Sequence, residues 1–212
     1  MYHHVRHLER VCTSSEAAAV RRSSNPVLAL AMLWACKEAS YKSLGKQFRG
    51  WHFVPRRFEA QLEEYDPAKI DKKLSILCMG VQTELRIFAA QGWVHAVTAP
   101  PGMQVRWKVR EMEERSLGGR KAPGESEAVR FLARELLDEL GWREVTLQFD
   151  QRIPVLRDDE GKQTRVEVSL AHHGAFAAAA VAWPTCDAAS MVGQEVGSTA
   201  TSPEALCSTC IA

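Results

Sequence analysis

The sequence predicts an α+β domain over residues 1–183 in which helices pack on an antiparallel sheet, a later helix with its strands completing a second half. Three observations predict it. Apolar residues recur at helical spacing over 27–46 and again over 125–140. Between those blocks lie short apolar and β-branched stretches separated by turn residues. A 212-residue chain that is 46% hydrophobic also carries enough apolar material for a sizeable core.

Residues 4–21 read as a modestly amphipathic helix, and 22–26, with Ser, Asn and Pro, read as a break. Over 27–46, Leu30, Leu33, Trp34, Tyr41 and Leu44 share one face, and Gly45 lies near the end, where helices often stop. Strands follow at 53–58, 74–79, 84–90, 93–99 and 105–109, with turns at Asp66-Pro67, Gly80, Gly92 and Pro100-Pro101-Gly102. Residues 111–124 are charged and glycine-containing, the texture of a linker. The next helix has Val129, Leu132, Ala133, Leu136 and Leu140 as its buried stripe, between Pro123 and Gly141. Strands at 145–149 and 153–156 and a hairpin turn at 158–162 precede a half-buried strand in which Val166, Val168 and Leu170 alternate with Arg165, Glu167 and Ser169. Residues 175–183 admit two readings. Four consecutive alanines favour a helix, while Phe176, Val181 and Trp183 suit a strand. From 184 to 212 small and polar residues follow without period, as in a disordered tail.

Charge and cysteine usage exclude several function classes. Twenty-seven basic against 26 acidic residues leave a net charge of +1, so no global field recruits nucleic acid or an anionic membrane. The longest apolar run, 27–36, is half of the roughly 20 residues a membrane span needs, and the first 25 residues lack the apolar stretch of a secretory leader. The cytoplasm is therefore the expected compartment. Six cysteines are too sparse for a disulfide scaffold, so Cys12, Cys36 and Cys78 read as reduced thiols. Cys207-Ser208-Thr209-Cys210 has no second pair to complete a zinc site.

The chemistry concentrates in 34–45. On a helical projection Lys37 falls amid the apolar stripe, while Glu38 and Lys42 lie together along its edge. Lysine is almost never fully buried unless paired, so Lys37 either snorkels to water or meets an anion. Glu38 and Lys42 read, at their simplest, as an i,i+4 surface pair.

Trp34, Lys37-Glu38-Ala39, Lys42 and Gly45 form the words W-x-x-K-E-A-x-x-K-x-x-G. This pattern resembles the signature of the 4'-phosphopantetheinyl transferases, which include the holo-acyl-carrier-protein synthases. Arg10-Val11-Cys12-Thr13 with Glu16 is similar to the R-V-x-T-x-x-E segment upstream of it, and His52-Phe53 with Arg56-Arg57-Phe58-Glu59 to the strand downstream. A second block, Val168-Ser169-Leu170-Ala171-His172-His173-Gly174-Ala175-Phe176, resembles the family's V-S-L-S-H-x-G-x-F/Y segment.

The resemblance implies transfer of the phosphopantetheine arm of coenzyme A to a serine of an acyl- or peptidyl-carrier protein, with magnesium. It implies that Glu38 is a metal ligand and base, and that Lys42 contacts phosphate and protonates the leaving group. It further implies that Lys37 supports the same anionic pocket, and that Ser169 and His172 bind coenzyme A phosphate. Two departures accompany it. Ala171 replaces the second serine of S-L-S-H, one hydroxyl worth about 1 kcal/mol. Family members also open with a G-[IN]-D-[VI]-V strand whose aspartate is the second metal ligand, whereas the first acidic residue here is Glu9. A site reduced to one carboxylate that forfeits about 3 to 5 kcal/mol slows transfer on the order of a hundred- to several-thousand-fold. The expectation is thus such a transferase, impaired unless the missing strand lies upstream, with a non-catalytic remnant that binds coenzyme A or a carrier protein as the alternative.

Overall fold

The computed structural model describes residues 8–48, 52–61, 72–90, 92–99, 102–112, 124–185 and 208–211. The helix expected over 4–21 divides. Residues 8–11 are helical, and α1 (Ser14–Arg22) starts anew after Thr13. Thr13 takes an extended backbone (φ −68°, ψ 170°) so that its hydroxyl accepts from Glu16 N while its own N–H donates to Glu16 Oε2 at 2.7 Å. This reciprocal capping box satisfies two donors that a helix start otherwise leaves open.

The second helix, α2 (Pro26–Gln47), is capped by Asn25, whose Oδ1 accepts from Leu28 N at 3.0 Å. Pro26 occupies its first turn, where a missing N–H costs nothing. The helix runs two residues past Gly45, so that glycine lies inside the last turn rather than ending it.

The strand expected at 53–58 is instead a 3₁₀ turn at Pro55–Arg57, followed by the short β1 (Glu59–Gln61). Proline at 55 fixes its own φ and suits the first position of such a turn. The strands β2 (Lys72–Cys78), β3 (Val81–Ala90) and β4 (Trp93–Thr98) form an antiparallel meander. In β3, Thr83, Leu85 and Ile87 are buried while Gln82, Glu84 and Arg86 are exposed, the alternation of a sheet with one covered face. The cover is α2, whose Leu33 and Leu44 join Ile76, Leu85 and Ile87 in the first core. The expected turn at Asp66-Pro67 lies outside the described residues, as do 113–123 of the expected linker.

The second core lies beneath α3 (Glu125–Glu139), where Val129, Leu132, Leu136 and Leu137 pack on a sheet of order β5-β9-β8: β5 (Met103–Glu111), β9 (Phe176–Pro184) and β8 (Glu167–His173). Between α3 and β8 the hairpin of β6 (Thr146–Asp150) and β7 (Ile153–Arg157) is inserted. The alanine-rich stretch resolves as the central strand β9, with Ala177 through Ala182 no more than 1% exposed. Its alternate residues Ala177, Ala179 and Val181 meet the α3 core, while Ala180 and Ala182 meet Val105 and Trp107 on the opposite face. Pairing on both edges overrides alanine's helix preference, and methyl side chains suit a strand covered on both faces.

The segment expected to be disordered contains a further strand, β10 (Ser208–Ile211), paired antiparallel with β4 in the register Ser208↔Thr98 to Ile211↔His95. The first sheet is therefore five-stranded, β1-β2-β3-β4-β10. Mixed helix and antiparallel sheet is the architecture the sequence predicts. Among the described residues no helix is long and apolar enough to cross a membrane.

A buried ion pair joins the first half. Lys37, fully buried, donates to Glu16 Oε2 at 2.5 Å and to Val11 O at 2.9 Å, and Glu16 Oε1 accepts from Ala60 N at 2.7 Å. Four segments thus converge on one carboxylate and one ammonium. Substituting Lys37→Met leaves Glu16 buried without its cation and is expected to cost about 3–5 kcal/mol in urea denaturation. Adding Glu16→Leu should return part of that loss, since a removed pair leaves no orphaned charge.

Cys12, Cys36 and Cys78 are free and buried, as expected. Burial pushes the Cys12 thiol up to about 11, against the opposing pull of the Lys37 cation, and raises Cys36 and Cys78 as well. A raised value keeps the thiol protonated, and only the thiolate is nucleophilic. At pH 8 iodoacetamide should label these three slowly in the native chain and rapidly in urea, as read by site-resolved mass spectrometry.

Candidate functional site

Three segments remote in sequence line one cavity of about 360 Å³. From α2 come Tyr41, Lys42, Gly45 and Lys46, whose one- and four-residue spacings place them on one helical face. Gln151 and Arg152 come from the β6–β7 turn, and Ser169 and Leu170 from β8. The lining contains three cations and no carboxylate, so its chemistry suits an anion.

Each group is held by its own local structure. Lys46 Nζ donates to Glu167 Oε2 at 2.7 Å and to Val168 O at 3.2 Å, which ties α2 to β8 and fixes two walls of the cavity to each other. Lys42 Nζ lies 3.2 Å from Glu38 Oε1, one helical turn back, with both side chains between a quarter and a third exposed. Gln151 and Arg152 form a two-residue hairpin loop, with Asp150 opposite Ile153, and both have left-handed backbones at φ 48° and 72°. Asn-Gly is the usual filling of such a loop; side chains in this region cost roughly 1 kcal/mol or more each. Here both positions are held by residues other than glycine, and both border the cavity.

The sequence-predicted residues divide accordingly. Lys42 and Ser169 line the cavity, and Glu38 sits at its edge through the ion pair with Lys42. Lys37 is elsewhere, fully buried in the pair with Glu16, so the first core and not the cavity receives its ammonium. His172 is 41% exposed and its Nδ1 lies 3.2 Å from Glu125 Oε2, beside the start of α3 and away from the lining. His173 is exposed.

Sequence reasoning missed Glu16, Lys46, Gln151 and Arg152. A signal existed for the first, because T-x-x-E at 13–16 is a capping box whose glutamate points back into the fold. Lys46 lies four residues past Lys42, and 151–152 is too short a connection between two strands to be anything but a tight turn.

A magnesium ion is implied by the resemblance, and the donor set is a partial fit. Among the described residues no group of three or more His, Cys, Asp or Glu side chains is arranged to hold a metal. Glu38 nevertheless offers a half-buried carboxylate, and magnesium is commonly held by one or two carboxylates with waters and substrate phosphates supplying the rest. The arrangement suits an ion that arrives with its phosphate ligand rather than a preformed cage.

Gly45 is costly inside a helix, by roughly 0.5–1 kcal/mol relative to alanine. A Cβ there would first meet the Tyr41 ring at 4.0 Å, an ordinary contact, so the fold itself does not require glycine. Gly45→Ala is expected to raise the melting temperature while weakening inorganic pyrophosphate binding in titration calorimetry, because the methyl group occupies the wall of the cationic cavity.

No curated protein and no solved structure matches the chain. The family model of the 4'-phosphopantetheinyl transferase superfamily matches residues 3–98, a little under half of the chain and the part that contains α1, α2 and the first meander. The resemblance read from Trp34 to Gly45 thus rests on more than a short motif, and residues 3–98 carry the sequence hallmarks of the 4'-phosphopantetheinyl transferase superfamily.

Proposed function

We propose that the protein transfers the 4'-phosphopantetheine arm of coenzyme A to a serine hydroxyl of an acyl- or peptidyl-carrier protein. The observation that carries this reading is the meeting of the two motif blocks, with Lys42 and Gly45 of the first and Ser169 and Leu170 of the second lining one cavity. They are separated by more than a hundred residues of chain, and nothing in either block's local sequence requires them to meet.

In this reading the diphosphate of coenzyme A lies along α2, where Gly45 permits close approach and Lys42 and Arg152 offset its charge. Ser169 donates a hydrogen bond to a phosphate oxygen. Glu38 would hold magnesium together with phosphate oxygens, and the ion would supply charge neutralisation at the reacting phosphorus. The carrier's serine oxygen forms a bond to the phosphorus of the pantetheine arm as the bond to adenosine 3',5'-bisphosphate breaks. Glu38 receives the serine proton, directly or through water, and Lys42 gives a proton to the departing phosphate. Lys37 acts at a distance, by fixing the helix that presents Glu38 and Lys42. The two helix-on-sheet halves would be related copies enclosing the site between them.

One observation favours a second reading, a module that binds coenzyme A or a carrier protein without transfer. The described residues bring no group of three metal-ligating side chains together. Mass spectrometry of an apo carrier protein incubated with the chain, coenzyme A and magnesium separates the two. A gain of the phosphopantetheine mass supports transfer, and coenzyme A binding without that gain supports the module. Where transfer occurs, Glu38→Gln is expected to lower kcat by at least a hundredfold with folding unchanged; unaltered turnover removes Glu38 from the chemistry.

A further inference from the structure

Like β9, strand β4 is buried along most of its length. Five of its six residues, Val94 through Thr98, are buried, so both of its faces are covered. A strand buried in this way cannot leave one backbone edge unpaired without stranding N–H and C=O groups away from water. On one edge β4 pairs with β3, and on the other its partner is β10, from the far end of the chain.

β10 does more than extend the first sheet. It also lies against α2 and against β8 and β9 of the second sheet. Those neighbours include both walls of the cavity, the helix bearing Lys42 and Lys46 and the strand bearing Ser169. The tether is long and weakly patterned: residues 185–207, mainly small and polar, join β9 to a strand of only four residues. Such a connection makes seating of the strand an intramolecular event, at an effective concentration on the order of millimolar.

We propose that the outer edge of β4 is a strand-acceptor slot for the chain's own carboxy-terminal segment, and that seating of Ser208–Ile211 clamps α2 against β8 and thereby forms the cavity. The occupant recognises the slot through backbone pairing, the mode by which an extended peptide completes a sheet. The slot is accordingly competent to take the same segment as a separate peptide. This inference does not depend on which ligand the cavity holds.

Hydrogen exchange on the full chain tests it. Replacing Thr209 and Cys210 together by proline (T209P/C210P) removes two consecutive backbone donors from β10. Amides 95–98 of β4 and 168–171 of β8 should then exchange at least tenfold faster, while amides 129–137 of α3 remain unchanged. A chain ending at Thr185 should show the same pattern, and a synthetic peptide of residues 202–212 at millimolar concentration should reverse it. Unchanged β4 protection in T209P/C210P shows the slot is not filled by this segment, and loss confined to β4 shows that it fills the slot without clamping; either overturns the proposal. Should the proline variant unfold, a cross-link decides. Cys210 lies opposite Ala96, so Ala96→Cys should form an intramolecular disulfide with Cys210 on mild oxidation. Pairing with Cys186 or Cys207 instead, or between two chains, overturns it.

Discussion

The first half of the molecule is organised by one buried charge pair. The Lys37 ammonium reaches the Glu16 carboxylate and the Val11 carbonyl, and the same carboxylate receives the Thr13 and Ala60 amides. Desolvating two such charges is expensive, and the cost is offset because the carboxylate and the ammonium each meet their partners at short distance. Geometry this demanding fixes the roll of α2 about its own axis. Lys37 must point inward, so Glu38 and Lys42 are turned toward the helix edge and Gly45 and Lys46 follow them onto the face that meets β8. The position of the site is a consequence of a contact made outside it.

That dependence gives physical content to the two sequence words that run together in this half. In R-V-x-T-x-x-E, the threonine and glutamate cap α1, and the glutamate is then free to bind the lysine of K-E-A; valine lends its carbonyl. The K-E-A-x-x-K word is here partly a folding device. Of its charged residues in α2, the first stabilises the helix's orientation and the next two face the cavity or its edge. The second half contributes a complementary constraint, since the Lys46 contact to Glu167 and Val168 joins the two cores directly beside that cavity.

Helices and most strands were legible from the sequence because their signals are local. Periodicity located α2 and α3, apolar and β-branched content located β3, and alternation located β8, each within a few residues. The 53–58 strand failed for a local reason as well, a proline at 55 that favours a tight turn over continued pairing. What could not be read was set by contacts distant in sequence. Alanine's preference at 175–183 was decided by β5 and β8, and the pairing of 208–211 by an edge more than a hundred residues earlier. Of the residues lining the cavity, Lys42 and Ser169 belong to the two motifs, whereas Arg152 belongs to none and enters only through the conformation of its turn. Lys37 and His172 were assigned with their motifs and lie apart from the cavity, because neighbours in a sequence word need not point the same way.

The order of strands in the second sheet bears on how the chain reaches this structure. β9 is central, yet it leaves the ribosome after both of the strands it separates. Until residue 184 has emerged, β5 and β8 each present an open edge, and the alanines destined to close them favour a transient helix instead. Closing the second sheet must therefore dissolve a locally preferred conformation to complete a non-local one. During that interval the nascent protein presents edges open to association with its neighbours.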